Sequence, residues 1–307
     1  MTLNALTVDL EEYFQVSNFD SVIDRAHWDG LPSRVGDATR RLLEHFERTG
    51  SRATFFVLGW VAERHPGLVQ EIVRQGHEIA CHGYGHDLVY ELGPQRFRAD
   101  LRRARAAIED AAGCAVRGYR APSYSITERS LWALEILCEE GFRFDSSIFP
   151  IRHPRYGIPH FHRRPVRLEL GEGRWIDEFP LTTFPLGPLR LPLAGGAYLR
   201  FLPAPLFRWG FSQLVAAREP TVLYLHPWEI DPEQPRQPVG WRVRTNHYHN
   251  LGRTESRVRR LLERFAFAPM GEVLGALELA GRLPRQPAPR GREGNGPGAA
   301  IGAIAAT

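Results

Sequence analysis

Short apolar runs alternate with amphipathic helical patterns through the first half of the chain, and this alternation constrains the fold more than any other feature. Residues 5–10 and 53–59 are largely apolar runs with the length and composition of buried strands. Between them, residues 35–48 repeat apolar side chains at helical spacing and are followed by Gly50. Such an alternation predicts a parallel sheet with right-handed crossover helices. We therefore expect an α/β fold, most simply a distorted (β/α) barrel.

The same rhythm continues along the chain, with one interruption. Further strands are predicted at residues 77–82, 116–120, 142–145 and 221–226, and helices at 66–76, 94–113, 127–141, 204–217, 254–265 and 271–280. Between about residues 151 and 203 the chain is rich in Pro, Gly and aromatic residues, which predicts a β-rich insertion over the mouth of the barrel. Residues 1–282 are predicted to form a single catalytic domain, and the Pro/Gly/Ala-rich residues 283–307 a disordered tail.

The composition is that of an ordinary globular protein, with 43% hydrophobic and 24% charged residues among 307. All 39 basic residues are arginines, but 35 acidic residues are interspersed with them, which argues against nucleic-acid binding. Three cysteines lie in apolar segments without a CxxC spacing, as expected in a reducing compartment. No apolar run approaches the roughly 20 residues that span a bilayer, and no signal peptide is evident. We expect a cytoplasmic protein without a transmembrane segment.

Five polar residues end predicted strands, just before the chain turns into a loop or helix. They are Asp9, His82, Arg120, Asp145 and His226. In a parallel barrel such strand ends converge on one face, where active sites are found. Each residue alone has an ordinary explanation as a loop residue, but the five side-chain types together suit one reaction. The sequence therefore predicts a catalytic site on this face.

Two imidazoles and nearby carboxylates indicate a site for a divalent metal. Asp9 and Glu11 are two residues apart, so an extended backbone points both to the same side, whereas Glu12 faces the other way unless the strand ends early. His82 and His86 are separated by a segment with two glycines, which favours a turn that brings both rings together. Two histidines and one carboxylate suit zinc, and cobalt, manganese or iron would also fit.

Two further residues have side chains suited to such a site. The guanidinium of Arg120 could hold a carboxylate in bidentate fashion. Trp228 stands near His226 in the run Leu225-His226-Pro227-Trp228-Glu229, and sugar rings often stack on an aromatic residue in such a position. The alternatives are a surface ion pair for Arg120 and ordinary core packing for Trp228.

The motifs resemble those of the polysaccharide deacetylases of carbohydrate esterase family 4, the NodB homology group. The resemblance covers about residues 5–150 and 220–230 and rests on four motifs: Thr7-Val8-Asp9-Leu10-Glu11, His82 to His86, Arg120-Ala121-Pro122 and Leu225-His226-Pro227. The runs Val8 to Val16 and Asp145 to Pro150 are similar to one branch, encoded with exosortase (PEP-CTERM) exopolysaccharide loci. That branch has its own C-terminal extension, which would be about residues 155–282 here.

The resemblance implies a metal-dependent hydrolysis that removes acetyl groups from an N-acetylated oligo- or polysaccharide. It implies that Asp9 is the general base, that Glu11, His82 and His86 bind the metal, and that His226 is the general acid. It further implies that Arg120 orients Asp9. A backbone N–H near Ser123 or Tyr124 would complete an oxyanion site. A cytoplasmic enzyme of this kind would act on a precursor, such as a lipid-linked one, at the inner face of the membrane.

Three features depart from the family pattern or leave alternatives open. The family has adjacent aspartates where this chain has Asp9 and Glu11, so the choice between Glu11 and Glu12 stays open. Gly83 replaces the usual Ser or Thr, so a hydrogen bond that steadies the metal site is absent or supplied elsewhere. His226 needs an acidic partner, for which Asp177 and Glu178 are the candidates.

Two other functions compete with this interpretation. An allantoinase- or imidase-like amidohydrolase of the same superfamily would act on a small C–N substrate. A non-catalytic carbohydrate-binding or scaffold protein would bind glycan without metal-dependent turnover.

Overall fold

The helices and strands follow one another in the predicted alternation. The computed structural model describes residues 4–187 and 189–289. The strands are β1 (Asn4–Leu10), β2 (Thr54–Val57), β3 (Glu78–Cys81), β4 (Gly118–Tyr119), β5 (Phe144–Asp145), β6 (Val166–Gly171), β7 (Arg174–Glu178), β8 (Thr183–Leu186), β9 (Leu189–Pro192), β10 (Thr221–Leu225) and β11 (Arg285–Pro287). The helices are α1 (Val35–Thr49), α2 (Gly59–Arg64), α3 (Pro66–Arg74), α4 (Val89–Ala112), α5 (Trp132–Glu139), α6 (Gly196–Phe201), α7 (Ala204–Ala216), α8 (Trp241–Tyr248), α9 (Leu251–Arg264) and α10 (Met270–Leu279).

Nine of the strands form one sheet, in the order β10-β1-β2-β3-β4-β5-β7-β6-β11. Every neighbouring pair is parallel except β6 and β7, which form an antiparallel hairpin. Strand β10 therefore returns late in the chain to lie beside β1, as the wall of a barrel requires. The arrangement agrees with the predicted distorted (β/α) barrel. Within the described residues β10 and β11 are the two free edges, so the barrel wall is incomplete.

The β-rich segment predicted between residues 151 and 203 divides into two parts. Strands β6 and β7 extend the main sheet beyond β5, whereas β8 and β9 form a separate antiparallel hairpin. The predicted disordered tail, residues 283–307, needs a correction at its start, because β11 pairs in parallel with β6. The Pro- and Arg-rich sequence of β11 has no apolar period, and backbone bonds to the open edge of β6 order it instead. Residues 290–307 lie outside the described residues.

Alternate side chains of each strand face opposite sides of the sheet, and the two sides bury different clusters. In β1, Leu6 packs into the larger cluster together with the helices, whereas Ala5 belongs to the smaller cluster inside the barrel. The smaller cluster also contains Phe56, Ala80 and Tyr224, from β2, β3 and β10. Strand parity therefore decides which residues point into the barrel.

A short helix that the sequence pattern does not predict follows β2. Residues 53–59 are predicted as one strand, but α2 already begins at Gly59. A Cβ at Gly59 would lie 2.7 Å from Tyr84 Cδ2 and 2.9 Å from Ala104 Cα, so only glycine allows α2 to pack this closely on α4. The Gly59 N–H donates to the carbonyl of Gly83 at 2.9 Å. This contact fixes the loop that carries the two predicted histidine ligands.

Candidate active site

The predicted site residues lie at the carboxyl ends of neighbouring strands. Asp9 is near the end of β1, His82 follows β3, Arg120 follows β4 and His226 follows β10. His82 and His226 are each two residues beyond a side chain that faces the barrel interior, so they keep that direction. Asp9, His82 and Arg120 are at most 2% exposed, and the side chain of His226 is 17% exposed. Strand parity and the parallel sheet thus bring these four side chains together.

Glu11 and Glu12, between which the sequence does not decide, point in different directions. Glu12 is fully buried and accepts hydrogen bonds from the hydroxyl of Ser33 and from the backbone N–H of Arg34, the latter at 3.0 Å. Glu12 therefore anchors the chain just before α1 begins. Glu11 instead faces the two histidines and is the carboxylate available to a metal.

The loop after β3 turns both histidine rings toward Glu11. Gly83 and His86 adopt positive φ values of 77° and 59°, and the ring centroids of His82 and His86 are 5.5 Å apart. The Nδ1 atom of His82 lies 2.8 Å from the carbonyl oxygen of Arg120, to which Nδ1–H donates, so Nε2 is left free. Burial lowers the pKa of His82 to about 4, so the ring is neutral, as a metal ligand must be.

The remaining polar contacts of the cluster hold the other two ligands. The indole N–H of Trp228 donates to Glu11 Oε1 at 3.0 Å, and the hydroxyl of Ser17 lies 3.4 Å from His86 Nδ1. Gly83 stands where the family usually has Ser or Thr, and its positive φ disfavours a side chain there. Position 83 therefore offers the cluster no side-chain hydrogen bond, and the contacts found beside Glu11 and His86 are those of Trp228 and Ser17.

The donor set fits a divalent metal. Ligand atoms of Glu11, His82 and His86 all lie within 4.8 Å of one another, and all three residues are buried. Glu11 Oε2 accepts no aligned hydrogen bond although His86 Nε2 lies 3.0 Å away. Burial alone would raise the pKa of Glu11, but its interactions with His86 and His226 outweigh burial and lower that pKa to about 2. An ionised, buried carboxylate oxygen without a donor, beside two imidazoles, is the arrangement expected of a zinc-type site.

Arg120 contacts Asp9 with one arm of its guanidinium. Nη1 donates to Asp9 Oδ1 at 2.6 Å, and Nη2 donates to the hydroxyl of Ser146 at 3.0 Å. Nη1 also donates to the hydroxyl of Thr7, and Nε to the carbonyl of Ser146. The contact with Asp9 is thus single rather than the bidentate one considered from the sequence. Since Arg120 is completely buried, these bonds fix the orientation of the Asp9 carboxylate.

His226 faces the metal-ligand cluster on one side and an acidic partner on the other. Its Nε2 atom lies 3.8 Å from Asp9 Oδ2 and 3.7 Å from Glu11 Oε1, while Nδ1 lies 3.0 Å from Glu229 Oε2. Glu229 in turn accepts a hydrogen bond from Arg200 Nε at 2.8 Å. Burial opposes protonation of His226, but the hydrogen bond and charge of Glu229, with the other carboxylates, raise its pKa to about 9. These contacts therefore favour the protonated ring.

Glu229 replaces the partners that the sequence suggested for His226. Asp177 pairs instead with Arg167, at 2.7 and 2.9 Å, and Glu178 accepts from the backbone N–H of Ile148. Both lie in or at the end of β7, which the sheet order places on the far side of β5 from β10. Glu229 could have been found from the sequence, because it lies three residues after His226 in a turn opened by a proline, the spacing of a capping box.

The predicted substrate-binding loop after Arg120 has an unusual backbone. Ser123 and Tyr124 both adopt positive φ values, 50° and 54°, and the hydroxyl of Ser123 lies 3.0 Å from that of Ser17. The backbone N–H of Tyr124 donates to the carbonyl of Ala121, so it is not available as an oxyanion donor. The Tyr124 ring packs among Phe149, Tyr156 and Tyr224. Tyr124 is therefore a core residue, and Ser123 remains the candidate donor of this loop.

Trp228 is also placed differently from its prediction as a sugar-stacking residue. It is only 7% exposed, and its two faces stack on His226 and His247, with ring centroids 5.0 and 4.3 Å apart. No face is left for a sugar ring. Trp228 instead supports Glu11 through its indole N–H. Its second stacking partner comes from α8, 19 residues further along the chain, which local sequence spacing does not indicate.

Asp145, the fifth strand-end residue, lies behind Arg120 rather than beside the ligand cluster. It accepts a hydrogen bond from the hydroxyl of Ser147 at 2.5 Å, and Ser147 in turn accepts from the backbone N–H of Ala121. Asp145 pairs in register with Glu178, and burial next to Asp145 raises the pKa of Glu178 well above its usual range. Asp145 therefore supports the loop that carries Arg120.

Two family models match consecutive parts of the chain. Residues 26–137 match the polysaccharide deacetylase model, and residues 146–275 match a domain of unknown function, DUF3473. The second match contains His226, Trp228, Glu229 and Arg200. Both matched regions thus contribute side chains to the same cluster, while Asp9 and Glu11 lie before the first of them.

Known proteins are similar to this chain in sequence or in fold. A peptidoglycan-N-acetylglucosamine deacetylase of Bacillus cereus is 32% identical over 98 residues, which is 32% of this chain and 36% of that protein, so the chain spans about a third of this relative's length. A Mycobacterium smegmatis protein assigned to the polysaccharide deacetylases has the same fold, with a TM-score of 0.64 and 21% identity over 96% of both chains. The PuuE allantoinase also shares the fold, with a TM-score of 0.59 and 13% identity over 91% of both chains. The fold therefore does not distinguish these activities. The family model over residues 26–137 and the sequence relatives are those of polysaccharide deacetylases, and both matches cover about a third of the chain.

Proposed function

We propose that this protein is a metal-dependent deacetylase that hydrolyses the N-acetyl amide of an N-acetylated sugar polymer and releases acetate. The observation that carries the proposal is the position of Asp9 and His226 beside the cluster of Glu11, His82 and His86. The cluster offers a metal three ligands, while an ionisable carboxylate and a protonated imidazole remain next to it. Amide hydrolysis requires a proton acceptor and a proton donor in such positions.

The proposed reaction uses Asp9 and His226 for opposite proton transfers. Asp9 accepts a proton from the water that adds to the amide carbonyl carbon. The C–N bond then breaks, and the leaving nitrogen takes a proton from His226 Nε2, so that acetate and a free amino sugar result. The raised pKa of His226 keeps that proton available at neutral pH. Glu229 on Nδ1 holds the ring in the orientation that directs Nε2 toward Asp9 and Glu11.

Three side chains would hold the metal and two groups would support the reacting atoms. Glu11, His82 and His86 would bind a divalent ion, with zinc as the proposed ion and cobalt, manganese or iron as substitutes. Such an ion would polarise the amide carbonyl and lower the pKa of water. Arg120 would keep the Asp9 carboxylate in place. The backbone N–H of Ser123 would donate to the oxyanion.

We further propose that the substrate is an exopolysaccharide precursor at the inner face of the membrane. Similarity of the motifs to the exosortase-locus branch supports this, as does a separate family model over residues 146–275, within the region where that branch has its extension. The named activity of the Bacillus cereus relative supports N-acetylglucosamine as the sugar. Recovery of the activity only outside the cell would contradict the proposed location.

Acetate release from N-acetylglucosamine oligomers tests the proposed function. The protein is stripped of metal, given zinc or cobalt, and compared with Asp9→Asn. We expect metal-restored release from the unaltered protein and a loss of about 10²- to 10⁴-fold in Asp9→Asn, with metal binding retained. Asp37→Asn is the matched control, because the Asp37 side chain is 96% exposed on α1.

The same assay includes allantoin and small cyclic imides, because an allantoinase shares the fold. Their metal-dependent hydrolysis without acetate release from the oligomers would replace the deacetylase proposal. Absence of metal binding would contradict the assignment of Glu11, His82 and His86 as ligands.

A further inference from the structure

Exposed apolar side chains are concentrated in one segment of the chain. Among the described residues, eight large hydrophobic side chains are exposed, and five of them lie between residues 186 and 209. They are Leu186, Leu189, Phe201, Leu206 and Trp209. Single exposed apolar residues are normal on a soluble protein, but a contiguous group indicates an interaction surface.

The hairpin of β8 and β9 presents a row of apolar side chains. Leu186 and Leu189 are 54% and 67% exposed and lie directly opposite each other at the hairpin tip. Phe184 lies opposite Leu191 and two residues before Leu186. Cross-strand partners and alternate residues share one side of a hairpin, so these four side chains form one continuous row.

Helix α7 extends this row. The rings of Phe184 and Trp209 are in contact, with centroids 5.2 Å apart, and Trp209 is 49% exposed. Leu206 precedes Trp209 by three residues and is exposed on the same side of the helix. A Cβ at Gly210 would lie 2.6 Å from Leu193 Cδ1, so α7 is packed tightly against the chain that follows β9. We call the surface formed by Phe184, Leu186, Leu189, Leu191, Leu206 and Trp209 the apolar face.

The segment that contains the apolar face has no negative charge. Residues 179–218 include no Asp or Glu, although 35 acidic residues in 307 would place about four or five in a stretch of this length. A small groove beside α7 is lined by Arg208, Arg257 and Arg260 together with apolar residues, and no carboxylate is among the described residues that line it. The charged residues of the segment that forms the apolar face are thus all arginines.

We propose that the apolar face docks on the surface of an anionic lipid bilayer. Exposed Leu and Trp side chains on a segment whose only charged residues are arginines match an apolar layer beneath anionic headgroups. No helix among the described residues is long and apolar enough to cross a membrane. The proposed contact is made through the hairpin tip and α7. This inference does not depend on the proposed catalytic activity.

Binding to lipid vesicles tests this proposal. The full chain is sedimented with vesicles of phosphatidylcholine alone and with vesicles that also contain phosphatidylglycerol. We expect binding to the anionic vesicles that weakens as salt is added. The double substitution Leu186→Ser with Leu189→Ser should lower the partition coefficient at least about tenfold. The double substitution Arg208→Gln with Arg260→Gln should lower the partition coefficient about fivefold for each charge removed. Most of this decrease should be seen with the anionic vesicles.

Leu279→Ser is the matched control, because Leu279 is 92% exposed and lies outside the apolar face. It should leave vesicle binding unchanged. Circular dichroism and thermal unfolding should be the same for all variants, since the substituted leucines are exposed. Absence of binding to anionic vesicles, or equal binding by the hairpin variant and Leu279→Ser, would overturn the proposal. A dimer in light scattering that the hairpin substitutions dissociate would assign the face to a second copy of the chain and would overturn it as well.

Discussion

The two parts of the chain contribute different groups to one site. Residues 4–145 contribute side chains that lie in or follow strands of the regular alternation: Asp9, Glu11, His82, His86 and Arg120. Residues 146–275 contribute His226, Trp228 and Glu229 from β10 and the turn that follows it, and Arg200 from α6. The first part holds the candidate metal ligands and the proton acceptor. The second part holds the candidate proton donor and the groups that orient it.

This difference gives the domain of unknown function a role in the site. A deacetylase core without residues 146–275 would have the candidate ligands but would lack the imidazole of His226 beside Asp9 and Glu11. It would also lack the indole that donates to Glu11. The comparison therefore predicts that substitutions in the two parts separate metal binding from proton transfer.

The largest expected effect in the second part comes from His226→Ala. Loss of the proton donor should lower kcat for acetate release by about 10²- to 10⁴-fold. The metal content should stay that of the unaltered protein, because His226 is not one of the three clustered ligands. His249→Ala, which removes a ring stacked on exposed Phe201, serves as the control. A loss of metal in His226→Ala would contradict the assignment of metal binding to the first part of the chain and of proton donation to the second.

Trp228→Phe should weaken metal binding although Trp228 is not a ligand. The phenyl ring keeps the stacking on both histidines but loses the hydrogen bond to Glu11 Oε1. Substitutions of residues that hold a ligand typically cost about 10- to 100-fold in metal affinity, which a chelator competition measures. Trp60→Phe is the matched control, because Trp60 is similarly buried and packs on Phe14 and Trp28. Equal affinities of the two variants would contradict the supporting role of Trp228.

Glu229→Gln should change the pH dependence of the activity more than it changes the highest activity reached. Glu229 raises the pKa of His226, so removing the negative charge lowers that pKa. A proton donor works only below its pKa, and activity should therefore be lost at a lower pH on the alkaline side, by at least about one pH unit. A pH–rate profile measures this shift, and thermal unfolding shows whether unpairing Arg200 destabilises the variant. If the alkaline limb of the pH–rate profile stays unchanged, Glu229 does not influence the proton transfer.

The smallest effect is expected for Glu12→Gln, which sharpens the choice between the two glutamates. Metal content and activity should be retained, because Glu12 contacts Ser33 and Arg34 rather than the histidines. The free energy of unfolding should fall by about 1 kcal/mol through weaker hydrogen bonds before α1. Glu11→Gln is the matched comparison and should lose metal. Loss of metal from Glu12→Gln would reverse the assignment.

Much of the first part of the site could be predicted from the sequence. Each polar residue follows an apolar strand, and the two-residue period of a strand decides the side to which it points. The same period indicates that Cys81 points away from His82, and Cys81 is indeed buried in the larger cluster among the helices. The choice between Glu11 and Glu12 could not be predicted, since it depends on hydrogen bonds from residues more than 20 positions away.

The second part was less predictable because its contacts are tertiary. Arg200 reaches Glu229 from a short helix whose position depends on close packing of Gly195 and Gly196 on Tyr224, and a Cβ at Gly195 would lie 2.0 Å from the Tyr224 carbonyl oxygen. Trp228 was predicted to be open to sugars because the ring that covers it, His247, belongs to a helix with weak apolar periodicity. Local sequence patterns identify the residues whose side chains could take part in catalysis. They do not identify the distant residues that pack against those side chains.

The 3.0 Å approach of His86 Nε2 to Glu11 Oε2 has a consequence for how the protein would acquire a metal. An ion that enters between these two atoms must take a lone pair from each of them. The ion therefore competes with protons for the same two atoms, and acidification should weaken metal loading.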